Sequence, residues 1–210
     1  QNGTSTGLAM CALLPEGSTT AIMLGAPGNL SGAQRQEGLE AGLATCPDTI
    51  EIVSVQPGDW TPTKAQEIAE NWFNQYPDLT SMAVVTDGYL YPSMAIAANQ
   101  GRDDIKFFGY DGDKAIVEQM GGGQVMSDIL LSGTREGWNF VNFATNIALG
   151  NAPEEQVYDF YSPLVLTEEG HAAALENGFP EDIEVYYPDQ ALEVATDGFL
   201  EYGPDSIELP

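Results

Sequence analysis

Apolar positions along the first 150 residues follow two periods in turn. "TTAIMLGA" (19–26) and "SMAVVT" (81–86) are continuous apolar runs of strand length, and "TIEIVSVQ" (49–56) alternates every second residue. "DIKFFGY" (104–110) and "QVMSDILL" (124–131) supply two more strands. Helical patterns lie between them. "SGAQRQEGLEAGLATC" (31–46) has Ser31 as its candidate N-cap, and "TPTKAQEIAENWFNQYP" (61–77) opens with Thr61 as cap and Pro62 in the first position. The second of these puts Ala65, Ile68, Ala69 and Trp72 on one face. Further helices are predicted over 91–101, 113–123 and 134–150, with a short one over 4–17 closed by Pro15 and Gly17. This succession predicts an α/β fold, a doubly wound and mostly parallel sheet with helices on both faces.

Beyond Gly150 the pattern weakens. An extended stretch over 151–166 is followed by a short helix, "TEEGHAAALENG". The last 30 residues are acidic, aromatic and broken by Pro and Gly, and predict an irregular extension. Helix 134–150 carries Trp138, Phe140, Val141, Phe143 and Ile147, an apolar surface expected to be covered by another chain or by the acidic tail.

Charge narrows the function classes. Six Lys and Arg face 32 Asp and Glu, a net charge of −26. Nucleic acid is excluded as a partner, since binding it needs clustered cations. No apolar run reaches about 18 residues, so no membrane-inserted helix is expected. Self-repulsion at this charge fits a saline or acidic setting. Cys11 and Cys46 are the only cysteines, with no zinc-type spacing around them. They are expected to form a disulfide, as in an oxidising compartment; two buried thiols are the alternative.

"GAPGNLSGAQRQEGL" (25–39) has the glycines of a phosphate loop, yet no lysine follows it and Gln56 stands where a ribose-binding acid would end the second strand. Five motifs in order give a better account. They are this loop, "GDWTPTKAQEIAENWFNQYPDLTSMAVVTD", "TDGYLYPSMAIAANQG", "GYDGD" and "GGGQVMSDILL". Together they resemble the periplasmic sugar-binding proteins of the ribose-binding type, receptors of ABC transporters with the type I periplasmic-binding fold. The resemblance covers about residues 5 to 168. It implies a ligand-binding α/β lobe over 1–131, a returning helix and strand of a partial first lobe over 132–179, and an acidic extension over 180–210. The opening strands of the first lobe have no counterpart, so another chain is a candidate to complete it.

What the resemblance implies for function is an extracytoplasmic receptor, periplasmic or extracellular. It would take a small, sugar-like solute to a membrane permease or sensor, with no catalysis, cofactor or metal. Trp60 falls on the family's stacking aromatic and Asp111 on its ligand carboxylate. Thr86, Asp87, Asn29 and Tyr89 complete the expected ligand-binding set at the C-terminal ends of the strands. Two departures stand out. The family's cleft arginine aligns with Ala33, leaving Arg35 on the motif's second arginine, and its glutamine aligns with Leu131. They keep open an alternative, an interaction module that retains the fold without the ligand. His171, the sole histidine, lies in a late helix with no nucleophile motif nearby and is expected to be an exposed helical residue.

Overall fold

The structure, a computed structural model, describes residues 2–46, 49–131, 133–150 and 162–196. Strands β1 (Ser18–Leu24), β2 (Ile50–Pro57), β3 (Ser81–Val84), β4 (Lys106–Phe108) and β5 (Val125–Ile129) run parallel in the order β2-β1-β3-β4-β5. Short strands β6 (Leu164–Val165) and β7 (Val185–Tyr186) extend the sheet to seven, β6 antiparallel to β5 and β7 parallel to β6. The helices are α1 (Asn2–Leu13), α2 (Leu30–Leu43), α3 (Pro62–Gln75), α4 (Asp87–Asn99), α5 (Lys114–Val117), α6 (Gly133–Ala148), α7 (Glu168–Glu176) and α8 (Pro188–Thr196). No helix among the described residues is long and apolar enough to cross a membrane.

Successive strand residues face opposite sides of the sheet. Met82 and Phe107 pack with Ile68 and Trp72 of α3, Leu90 of α4 and Ile116 of α5. Their neighbours Ala83 and Phe108 pack with Met10 of α1 and Leu39 of α2. The doubly wound arrangement follows, with α1 and α2 on one face and α3 to α5 on the other.

Glycine sets how closely α1 and α2 approach. A Cβ on Gly42 would stand 2.5 Å from the Thr4 carbonyl oxygen and 2.7 Å from Gly7 Cα, and both are backbone atoms that cannot rotate away. Gly42→Ala is therefore expected to separate the helices and cost about 1–3 kcal/mol. Thermal melting would show this as a drop of several degrees, and an unchanged melting temperature would mean the contact is slack. The same pair is joined covalently: Cys11 and Cys46 form a disulfide with Cα atoms 5.8 Å apart, at the sheet edge where β1 and β2 begin.

Several expected boundaries move. Asn29, not Ser31, caps α2, its side chain accepting from the Gly32 amide. Thr86 caps α4, which starts at Asp87 and carries Pro92 inside it. The helix expected over 113–123 is one α-turn and a 3-10 turn at Met120–Gly122, because Gly121, Gly122 and Gly123 follow and Gly123 adopts φ 78. The strand assigned to a partial first lobe, β6, instead hydrogen-bonds to β5 in the one sheet. Residues 185–196, expected to be irregular, form β7 and α8, which Val194 and Ala191 anchor in the core. Phe140, Val141 and Ile147 of α6 are exposed in this chain; of the tail over 180–210 expected to cover them, residues 180–196 are described and leave them bare, and the remainder lies outside the described residues.

Candidate functional site

The parallel strands all end at one edge of the sheet, and the turns that follow them meet there. After β2 the chain makes a left-handed turn, with Asp59 at φ 53 and Trp60 at φ 57. Non-glycine residues hold this conformation only where their surroundings enforce it. Here the enforcement is visible. The Trp60 amide donates to Tyr89 Oη at 2.7 Å, and the two rings stack with centroids 6.3 Å apart. The indole also lies against Gly25, which leaves no room for a Cβ there.

After β4 the turn carries Asp111, also left-handed at φ 128. Its Oδ1 accepts from Arg35 Nη1 at 3.0 Å and its Oδ2 from the Thr86 hydroxyl at 2.6 Å. Arg35 rises from α2, lies 4.0 Å over the Tyr110 ring and 6.0 Å from Trp60, and also donates to the Val85 carbonyl. Burial pushes the Asp111 carboxyl above its ordinary value, while the Thr86 hydroxyl and Arg35 pull it back. The Asp111 side chain keeps 29% of its surface and that of Arg35 19%. Both polar groups are therefore reachable beside a partly exposed indole.

A ring that presents C–H groups on one face and hydroxyls at its rim matches this arrangement. An indole can take such an apolar face, a carboxylate can accept from hydroxyls through charge-assisted bonds, and a guanidinium can donate to them. A hollow of about 260 Å³ opens alongside, between α2 and the turn after β1, with Asn29 and Gln36 as its polar lining side chains. Neither Trp60 nor Asp111 lines it.

The structure joins Thr86 to Asp111 and brings Trp60 and Asp111 together through Arg35, and gives the rest of the expected set other places. Asn29 caps α2 and borders the hollow. Asp87 and Tyr89 were expected to touch ligand, yet both are fully buried. Tyr89 positions Trp60, and Asp87 accepts from the amides of Tyr110 and Asp113. Arg35 was the missed member, and its place on the motif's second arginine was the available signal. His171 lies in α7 with Nδ1 3.2 Å from Tyr187 Oη and its ring edge-on to Phe179, a packing role partly sheltered from solvent. Among the described residues no group of three His, Cys, Asp or Glu is placed to hold a metal.

A family model described as periplasmic binding protein domain matches residues 1–152. The D-ribose/D-allose-binding protein of Pseudomonas aeruginosa is 24% identical over 144 residues, 68% of this chain and 44% of its own length. The D-allose-binding periplasmic protein of Escherichia coli is 27% identical over 115 residues, 54% of this chain and 37% of its own. The chain thus spans less than half the length of these curated relatives. Among solved structures, an ABC transporter periplasmic solute binding protein from Actinobacillus succinogenes with bound D-allose superposes with a TM-score of 0.71 at 21% identity, covering 81% of this chain and 62% of that one. The Caulobacter myo-inositol binding protein gives 0.69 at 17% identity, covering 83% and 60%.

Proposed function

Because the chain belongs to the periplasmic binding protein domain family, we propose that it is the ligand-contacting lobe of a non-catalytic, extracytoplasmic receptor for a sugar-like solute. The observation that carries this reading is the cluster of Trp60, Arg35, Asp111 and Thr86 at the C-terminal edge of the sheet. The ligands named for its relatives, D-allose, D-ribose and myo-inositol, are all polyols with the face and rim that this cluster suits. In this reading the solute is delivered to a membrane permease or sensor. A second wall faces Trp60 and Asp111, and the exposed side of α6 packs beneath it. The disulfide supports a site of action outside the reducing cytoplasm.

One observation favours an alternative, an interaction module that binds no solute: Asp111 already accepts from Arg35 and Thr86 within the chain. Calorimetric titration of the purified chain against D-allose, D-ribose, myo-inositol and other small polyols separates the two. For a solute that binds, Asp111→Ala is expected to weaken binding about 10–100-fold, since hydroxyl donors are left without their acceptor. Trp60→Ala is expected to weaken it about tenfold through lost stacking area. Parent-like affinity in both variants would overturn the site assignment, and a panel with no binder for the chain joined to a second lobe would favour the interaction module.

A further inference from the structure

Two carboxylic acids lie beneath the site without facing the solute. Asp87, the first residue of α4, and Asp128, on β5, are both fully buried. They sit close together. A Cβ placed on Gly109 would stand 2.7 Å from Asp87 Oδ1 and 3.0 Å from Asp128 Oδ1. Between them they accept from four backbone amides: Tyr110 and Asp113 donate to Asp87, and Gly112 and Ile129 donate to Asp128. Three of those donors, at 110, 112 and 113, bracket Asp111. The Asp111 amide itself donates to the Ile129 carbonyl, one residue past Asp128. The two acids and β5 thus secure the whole turn that holds Asp111 at φ 128.

One atom is left over. Asp128 Oδ2 is buried and no donor faces it. As part of an anion in a dry site it is strongly disfavoured, and among the described residues no Lys or Arg pairs with either acid to offset it. As a neutral acid it would find its acceptor in the neighbouring Asp87 carboxyl.

We propose that Asp128 is a positioning residue of the solute site that works as a neutral acid. Its Oδ2–H donates to the Asp87 carboxylate, and the pair, holding one proton, clamps the 110–113 turn so that Asp111 faces Arg35 and Thr86. The titration of both groups runs the same way. Burial first, then the charge of Asp87 and the hydrogen bond to it, hold Asp128 well above the usual carboxylate range. Burial pushes Asp87 up to about 6 against the pull of the Asp113 amide, Asp128 and the Tyr110 amide. The other titratable or charged groups around the pair are Asp111 and Asp113 on the turn, Tyr110 beside Arg35 of α2, Tyr91 of α4, whose hydroxyl donates to Asp113, and Lys114 of α5, paired with Glu118.

That the clamp serves binding rests on the receptor reading; the clamp itself is testable without any solute. Asp128→Asn keeps an oxygen for the Gly112 and Ile129 amides and offers an N–H to Asp87 in place of the proton. In the unfolded chain Asp128 loses its proton near about 3.9, whereas the folded chain keeps it far above that. Over that interval the folded state binds more protons, so stability falls as pH rises. The parent's melting temperature is therefore expected to decline from about pH 5 to about pH 8, and that of Asp128→Asn to decline less and overtake it by several degrees. Carbon-13 spectra of the aspartate carboxyls should show one carboxyl still protonated at neutral pH in the parent and none in this variant. Asp128→Ala, which strands two amides, should melt below the parent at every pH and speed hydrogen exchange at Gly112 and Asp113, while Asp128→Asn leaves exchange parent-like. Melting curves of parent and Asp128→Asn that run parallel in pH, or the absence of a protonated aspartate at neutral pH, would overturn the proposal. Failure of every polyol to bind would remove the receptor reading and leave these readouts standing.

Discussion

Trp72→Ala is expected to lower the unfolding free energy by about 3–5 kcal/mol, the range for emptying a large, fully packed aromatic site. Trp72 has no exposed surface, sits in the core face of α3 with Ile68 and Phe73, and donates from Nε1 to Ser54 Oγ of β2 at 2.9 Å. Its removal opens a cavity between helix and sheet and frees that hydroxyl. Against a typical total of about 5–15 kcal/mol this is a large fraction. In urea titration the midpoint should fall sharply with little change in slope. Trp72→Phe should keep most of the packing and lose about 1 kcal/mol with the hydrogen bond. The contrast with Trp60 is the informative part: Trp60→Ala, at the rim, should abolish stacking while moving the midpoint far less. If Trp72→Ala unfolds at the parent's midpoint, α3 is not anchored as described.

Reducing the Cys11–Cys46 bond, or replacing both residues by Ser, is expected to cost about 3–4 kcal/mol. The bridge closes a loop with a sequence separation of 35, and in the chain-entropy account it acts mainly on the unfolded ensemble. The bond lies at the edge where strands begin, while Trp60 and Asp111 lie where they end. Oxidised and reduced protein should therefore differ in melting temperature yet bind solute with the same affinity below the transition. A matching loss of affinity would mean that α1 and α2 transmit strain across the sheet to Arg35.

Most of the sheet was legible because each parallel strand carries its own apolar run. The extended stretch holding β6 was legible but not its pairing with β5, and β7 was not, since a two-residue strand shows no periodicity and exists only through the pairing it joins. At the site, Trp60 and Asp111 could be placed because motifs fix them at strand ends. Asp87 and Tyr89 were misplaced for one reason, the start of α4. With that helix beginning near 91, both are turn residues facing solvent. With Thr86 as the cap, Tyr89, Ser93 and Ala97 fall four residues apart on one helical face and turn inward, and Asp87 comes to lie under the 110–113 turn. Asp128 was visible only as a polar residue in an apolar strand. Its partner is 41 residues upstream, a distance that local patterns do not span.

The double hold on Trp60 bears on how a solute would be met. Freezing a long side chain at the moment of association costs about 0.5–1.5 kcal/mol. Here the Tyr89 hydroxyl fixes the backbone and the Gly25 seat fixes the ring before any encounter. The indole is thus preorganised: its rotational entropy is lost in folding, and an arriving solute would find a rigid plate. Variants that loosen the plate without removing it, such as Tyr89→Phe, should leave the contacts of the bound state intact and appear instead as a less favourable binding entropy and a faster departure of the solute.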